Sequence, residues 1–156
     1  MVILNLMTRD ELGLVGFTNI HPDREDESTL KGSITNLDWV AEDAEVTQLM
    51  AVDVIDFLQP QEIEDSILHW CGKLRHGGKI FIGGLDLTEA ARLVHLRRIN
   101  LDDANKLIFG THSSPSDHRK SAMTMRTVEE ILVQNGLKIQ QSHFVKAQYC
   151  VEAMRP

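Results

Sequence analysis

The sequence predicts an α/β fold: a mostly parallel sheet with helices on its faces and an antiparallel hairpin at its C-terminal end. Three patterns carry that expectation. Short apolar runs, each the length of a strand, recur through the first half of the chain. A run at 46–55, an amphipathic stretch opened by Pro60 and closed by Gly77-Gly78, and a second run at 79–83 form a strand–helix–strand unit, the pattern of a parallel crossover. The last two strand-like segments, 137–144 and 147–153, are too close in sequence for anything but an antiparallel return.

The elements follow in order. Residues 2–6 are an apolar run that reads as a buried strand, and 16–20 reads as the second. About nine residues separate them, fewer than the dozen a helical crossover needs, so a loop or single turn is expected between them. A third short strand is expected at 31–35, then a helical turn near 38–44. Within 46–55 the apolar members are Leu49, Ala51, Val52 and Val54. Pro60 suits a first helical position because its missing N–H has no partner to lose there. Glu62, Glu64 and Asp65 early, with Lys73 and Arg75 late, complement the helix dipole. Ile63, Ile67, Trp70, Cys71 and Leu74 make one apolar stripe.

Beyond the Gly-Gly pair, 87–98 and 101–109 read as two helices, with Thr88 and Asp102 or Asp103 as expected N-caps. Residues 110–121 are a loop rich in Ser, Thr, His and Asp. The last helix carries Val128, Ile131 and Leu132, with Thr127 and Glu130 spaced as a capping box, and Asn135-Gly136 stops it.

At 156 residues the chain fits one domain with a substantial core. Its net charge of -7 argues against a general nucleic-acid surface, which calls for a basic face. Arg92, Arg97, Arg98, Lys106, Arg119 and Lys120 are either a local basic spot or ordinary solvated charges. Cys71 and Cys150 match no metal or redox spacing and read as buried free thiols in a reducing compartment. His112, Asp117 and His118 match no closed metal site, so no metal is expected. With no charged-then-apolar leader and no membrane-length run, a cytoplasmic location is expected.

One stretch is recognisable. Asp53-Val-Ile-Asp-Phe-Leu-Gln-Pro, the amphipathic helix, and Lys73-Leu-Arg-His-Gly-Gly-Lys-Ile-Phe-Ile resemble the part of class I S-adenosylmethionine (SAM) methyltransferases in which a strand, a helix and a "vLkPGG" segment precede the next strand. Leu4-Asn5-Leu6, the segment from Gly16 to His21, His118-Arg-Lys-Ser, Leu132 to Leu137 and the C-terminal Val151-Glu-Ala-Met-Arg-Pro resemble a compact branch of that family. The resemblance implies a Rossmann-like methyltransferase fold with a seven-stranded sheet. It also implies SAM as cofactor, at the carboxyl ends of the first, second and fourth strands.

Carried over by that resemblance, the cofactor-contacting positions are Leu6, Met7, Thr8, His21, Ser33, Ile34 and Asp53. Three of the matched sites depart from the family. Met7, Thr8 and Arg9 stand where a glycine-rich turn lets backbone approach the methionine part of SAM. His21 stands where an acid accepts the ribose hydroxyls, and Ser33 where an acid meets the adenine amino group. Asp10, Glu11 and Asp23 are neighbouring acids that stand ready as substitutes.

Asp53, Asp86 and His118 are the catalytic candidates, as bases near a methyl acceptor. Each has an ordinary alternative: a turn or capping carboxylate for Asp53, a helix cap for Asp86, a structural loop histidine for His118. Arg9 reads either as an anion-binding group or as a surface arginine. Two functions follow: methyl transfer from SAM to an unidentified small-molecule acceptor, or a non-catalytic binding or structural module that has lost SAM. The sparse covering over the N-terminal strands further suggests a partner surface, with a homodimer as its simplest form.

Overall fold

The structure is a computed structural model, and it describes residues 1–114 and 117–156. Positions 115 and 116, within the loop expected at 110–121, lie outside the described residues. Seven strands form one sheet: β1 (Val2–Leu6), β2 (Thr18–His21), β3 (Thr29–Lys31), β4 (Val46–Val52), β5 (Leu74–Leu85), β6 (Lys138–Val145) and β7 (Gln148–Met154). Their spatial order is β3-β2-β1-β4-β5-β7-β6. The β1–β5 pairings are parallel, and β7 runs antiparallel to both β5 and β6. This is the expected mostly parallel sheet with a C-terminal hairpin. Among the described residues four helices complete the fold: α1 (Ile63–Lys73), α2 (Leu87–His95), α3 (Leu101–Phe109) and α4 (Met125–Gln134).

Register decides which side chains are buried together. Leu4, Leu49, Ile80 and Ala153 lie side by side across four strands, and Ala51, Ile82 and Val151 make the next row. These rows form the main core with Ile67 and Trp70 of α1 and Val128, Ile131 and Leu132 of α4. Residues one step along each strand point the other way. Ile3, Gln48, Lys79 and Met154 form one row of that opposite face, and Asn5, Met50, Phe81 and Glu152 the next. Apart from Asn5 these side chains keep part of their surface in water. Helices α2 and α3 instead gather a small cluster at the C-terminal end of β5, with Leu85, Leu93, Leu107, Ile108 and Ala147.

Several boundaries differ from the sequence expectation. The third strand is 29–31, ahead of the expected 31–35, because residues 33–36 turn through the Ser33 hydroxyl, which accepts the Asn36 N–H. Pro60 opens a 3-10 turn, Pro60–Glu62, and α1 proper begins at Ile63. The helix ends at Lys73, and Gly77-Gly78 lie inside a longer β5. All three expected caps move by a few residues. Asp86 caps α2 in place of Thr88, and Asn100 caps α3 in place of Asp102 or Asp103. Thr124 caps α4, accepting the Thr127 N–H, in place of a Thr127–Glu130 box. In each case an Asp, Asn or Thr just upstream reaches the same orphan N–H groups one turn earlier.

Candidate functional site

The carboxyl ends of β1, β2 and β4 open onto one edge of the sheet, and the segment after β1 is the first thing there. Strand-like pairing continues past Leu6: the Met7 N–H donates to the Ile20 carbonyl at 2.9 Å. Met7 and Thr8 are both buried, and the Thr8 hydroxyl donates to the Asp53 carbonyl at 2.6 Å. Side chains thus fill the turn and stitch it to β4. The connection then crosses β2 as a loop held by Asn19, whose amide takes the Leu14 N–H and donates to the Leu14 and Ser28 carbonyls. Gly13 is required at that point, since a Cβ would overlap the Asn19 side chain.

Arg9 extends from this loop across the strand ends. Its guanidinium lies 3.5 Å from a Glu11 oxygen, 3.6 Å from Asp53 and 3.7 Å from Asp117. One arginine therefore ties the loop after β1 to the end of β4 and to the loop before α4. Asp53 sits in the left-handed region, φ 53°, a conformation that aspartate tolerates better than most residues. Its second carboxylate oxygen is buried with no hydrogen-bond partner among the described residues. It does not cap the 3-10 turn that follows, Ile55–Phe57, whose N-cap is Val54 with no side-chain bond. Asp117 is held below the usual carboxylate range, first by the Thr111 hydroxyl and further by the Thr111 N–H and Arg9.

The positions that the resemblance assigns to a cofactor divide between two clefts. Leu6, Met7, Thr8, Arg9 and Asp53 border a small cleft of about 270 Å³ that continues onto Leu12, Met50 and Val52. Thr8, His21, Ser33 and Ile34 border a larger one of about 750 Å³, with Phe57, Leu58, His118 and Lys120 opposite. Thr8 is shared by both. Ile34 is buried, and its carbonyl accepts the Trp70 indole N–H at 2.8 Å, which fixes that wall to the core. Ser33 is exposed and makes its bonds within its own turn.

His21 has a defined protonation pattern. Its Nδ1 accepts the N–H groups of Asp23 and Arg24, each at 3.0 Å. An Nδ1 that accepts two donors carries no proton, so the neutral ring places its hydrogen on Nε2. Burial, and then the Arg24 charge, push the His21 pKa down, which agrees with a neutral ring. Nε2 is buried and makes no well-formed hydrogen bond among the described residues, while the Thr8 backbone pulls the pKa weakly the other way. At the position where the family resemblance calls for an acceptor, this chain presents a donor.

Asp86 has both oxygens engaged: one accepts the Glu89 N–H at 2.9 Å and the other the Met125 N–H at 2.8 Å. It caps α2 and holds the start of α4, and it stands 2% exposed. His118 borders the larger cleft, its ring 6.1 Å from that of His112. The sequence candidates Asp53 and His118 thus reach the crevice, while Asp86 borders neither cleft.

Sequence reading missed one group altogether. Asp56 is fully buried, and its carboxylate accepts the Leu85 N–H at 3.1 Å and meets Arg119 Nε at 3.4 Å. Arg119 also donates to the Leu107 carbonyl and lies over the Phe57 ring, 5.5 Å from its centre. Burial pushes the Asp56 carboxyl up to about 6 against the pull of the Leu85 N–H and Arg119. The buried Tyr149 hydroxyl is raised well above its ordinary range by burial and by the charge of Asp56, Asp86 and Asp53. Gly84 was the available signal: a Cβ there would sit 2.9 Å from the Asp56 carboxylate, so the second glycine of Gly83-Gly84 makes room for a buried side chain.

No family model matches the sequence, and no curated protein matches it. Solved structures do match. One is a chain of the complex between the Haloferax volcanii Trm112 methyltransferase activator and a methyltransferase, with TM-score 0.66 and 9% identity over 99% of this chain and 82% of that one. A SAM-dependent methyltransferase from Methanosarcina mazei gives 0.61 and 9% over 98% and 91%. Another from Archaeoglobus fulgidus gives 0.60 and 13% over 89% and 76%. The chain has a class I methyltransferase-like fold.

Proposed function

We propose that this chain is a non-catalytic ligand-binding module on the methyltransferase fold, with its crevice no longer built for SAM. The observation that carries this reading is Arg9, held against Asp53, Glu11 and Asp117 at the mouth between β1 and β4. SAM brings an activated methyl group on a positively charged sulfonium. A guanidinium beside the end of β4 repels that charge and already uses the carboxylate of Asp53. Met7 and Thr8 fill the turn where backbone would have to approach. His21 offers an N–H where a ribose diol seeks an acceptor. The residues present do not fit SAM.

What the fold retains is the 750 Å³ cleft at the ends of β2 and β3, the size of a small-molecule site and on the carboxyl edge of the sheet, one strand away from the β1–β4 switch point. Its test is a gain of function. Met7→Gly and Arg9→Gly combined with His21→Asp should raise SAM affinity, since each lost or mismatched buried polar contact is worth roughly 1–3 kcal/mol. At tenfold per 1.4 kcal/mol, the triple variant should bind SAM at least tens of times more tightly than the parent by calorimetry. An unchanged affinity in a folded variant counts against the assignment of these three positions.

A second reading, SAM-dependent methyl transfer to a small-molecule acceptor, is favoured by one observation. Thr8, His21, Ser33 and Ile34 border a single cleft, as a shared cofactor site requires, and His118 lies on it as a candidate base. In that reading Asp53 supports the reacting end of the crevice and Asp86 acts as a cap.

A further inference from the structure

Parallel sheets are normally covered on both faces, because βαβ crossovers lay helices on each side. Here α1 and α4 cover one face, while the connections β1–β2 and β2–β3 are loops. Beneath the α2–α3 cluster the other face of β1, β4, β5, β7 and β6 is left partly in water, with Ile3, Met50, Val52, Phe81, Cys150 and Met154 as its apolar members. Val52 is 45% exposed. Leu12, which borders the same cleft as Val52, is 96% exposed, and Val15 further along that loop is 100% exposed. We infer that this face is the contact surface of a homodimer, two copies packing sheet against sheet.

Charge selects a second copy over other occupants. The chain carries a net -7, yet the polar groups of this face nearly cancel. Lys79 and Glu152 pair across it at 2.7 Å, with Lys138 at the β6 edge. An anionic membrane or a nucleic acid finds no basic field here, and a strongly basic partner finds no acidic one. A like face meets it with little net charge, Lys138 standing at the β6 edge where it can stay in water, and across a two-fold axis Lys79 of one copy can share Glu152 of the other. Area is consistent: five strands about 4.8 Å apart, each presenting about seven residues at 3.3 Å, give a flat footprint of roughly 500 Å². The Leu12–Val15 loop extends it toward the roughly 800 Å² per partner of a stable interface.

Sedimentation of the full chain between 1 and 100 μM should show a dimer. Phe81→Glu and, separately, Met50→Glu should each give a folded monomer, because these side chains lie outside the core, while Val133→Glu on the exposed side of α4 leaves the dimer intact. Cys150 is the internal probe: a bulky maleimide should label it at least tenfold more slowly in the wild-type dimer than in the Phe81→Glu monomer, with buried Cys71 slow in both. A wild-type monomer across the range overturns the inference. So does a folded Phe81→Glu variant that remains dimeric, or Cys150 labelling that ignores association.

Discussion

Arg119→Met is expected to cost about 3–5 kcal/mol of stability at pH 8 and clearly less at pH 5, the range for stripping a buried charge of its partner. The pH dependence follows from Asp56. Its carboxyl stands raised, to about 6, so its contribution is fully present below the unfolded value near 3.8 and is lost as pH rises through 6. At pH 5 the side chain is largely protonated with or without arginine, and methionine keeps most of the contact with Phe57. At pH 8 the parent holds a paired carboxylate. The variant must either retain the proton against the solvent or bury an unpaired charge, since loss of Arg119 raises the Asp56 carboxyl further. Chemical denaturation of both proteins at the two pH values checks this; a cost independent of pH would place the role of Arg119 in packing alone. The same region matters for the crevice, because Lys120 and Ser121 N–H groups both donate to the Asp56 carbonyl and so position the loop bearing His118.

Trp70→Ala should be comparably severe. The indole is fully buried in the main core, and removing it costs about 3–5 kcal/mol through lost contact and the cavity left behind. The Ile34 carbonyl also loses its donor. A typical domain has only 5–15 kcal/mol in hand, so the melting temperature should fall by on the order of 10 °C or more. Trp70→Phe, which keeps much of the volume and loses the N–H, should recover most of the stability. Because Ile34 borders the larger cleft, ligand binding should weaken in the phenylalanine variant even where the fold survives.

The sheet was largely legible because its signals are local and periodic. The 46–83 stretch carries two apolar strand runs and a helical stripe, which map onto β4, β5 and α1, while the Gly77-Gly78 pair expected to stop the helix lies inside β5. The hairpin is written in its short connection. Strand three was displaced because 31–35 is apolar and polar in the right order while its backbone is claimed by the Ser33 turn. The caps slipped because several eligible residues stand within one turn of each other, and propensity does not choose between Asp86 and Thr88. At the crevice, sequence placed His21, Thr8 and His118 on common ground. It did not reveal that Nδ1 of His21 is committed to two backbone donors, which leaves the proton of the neutral ring on the buried Nε2. Nor did it reveal the Arg9 ties, which join residues far apart in sequence. Asp56 escaped notice because a carboxylate after an apolar strand reads as a surface group until a glycine opposite shows that it is enclosed.

Titration calorimetry of the unmodified protein answers most directly whether the crevice still receives SAM. SAM and S-adenosylhomocysteine should both give no binding heat up to millimolar ligand, with the sulfonium-bearing SAM no better than its neutral counterpart. Micromolar binding of either would contradict the proposal and return Asp53 and His118 to the role of catalytic candidates in a methyltransferase.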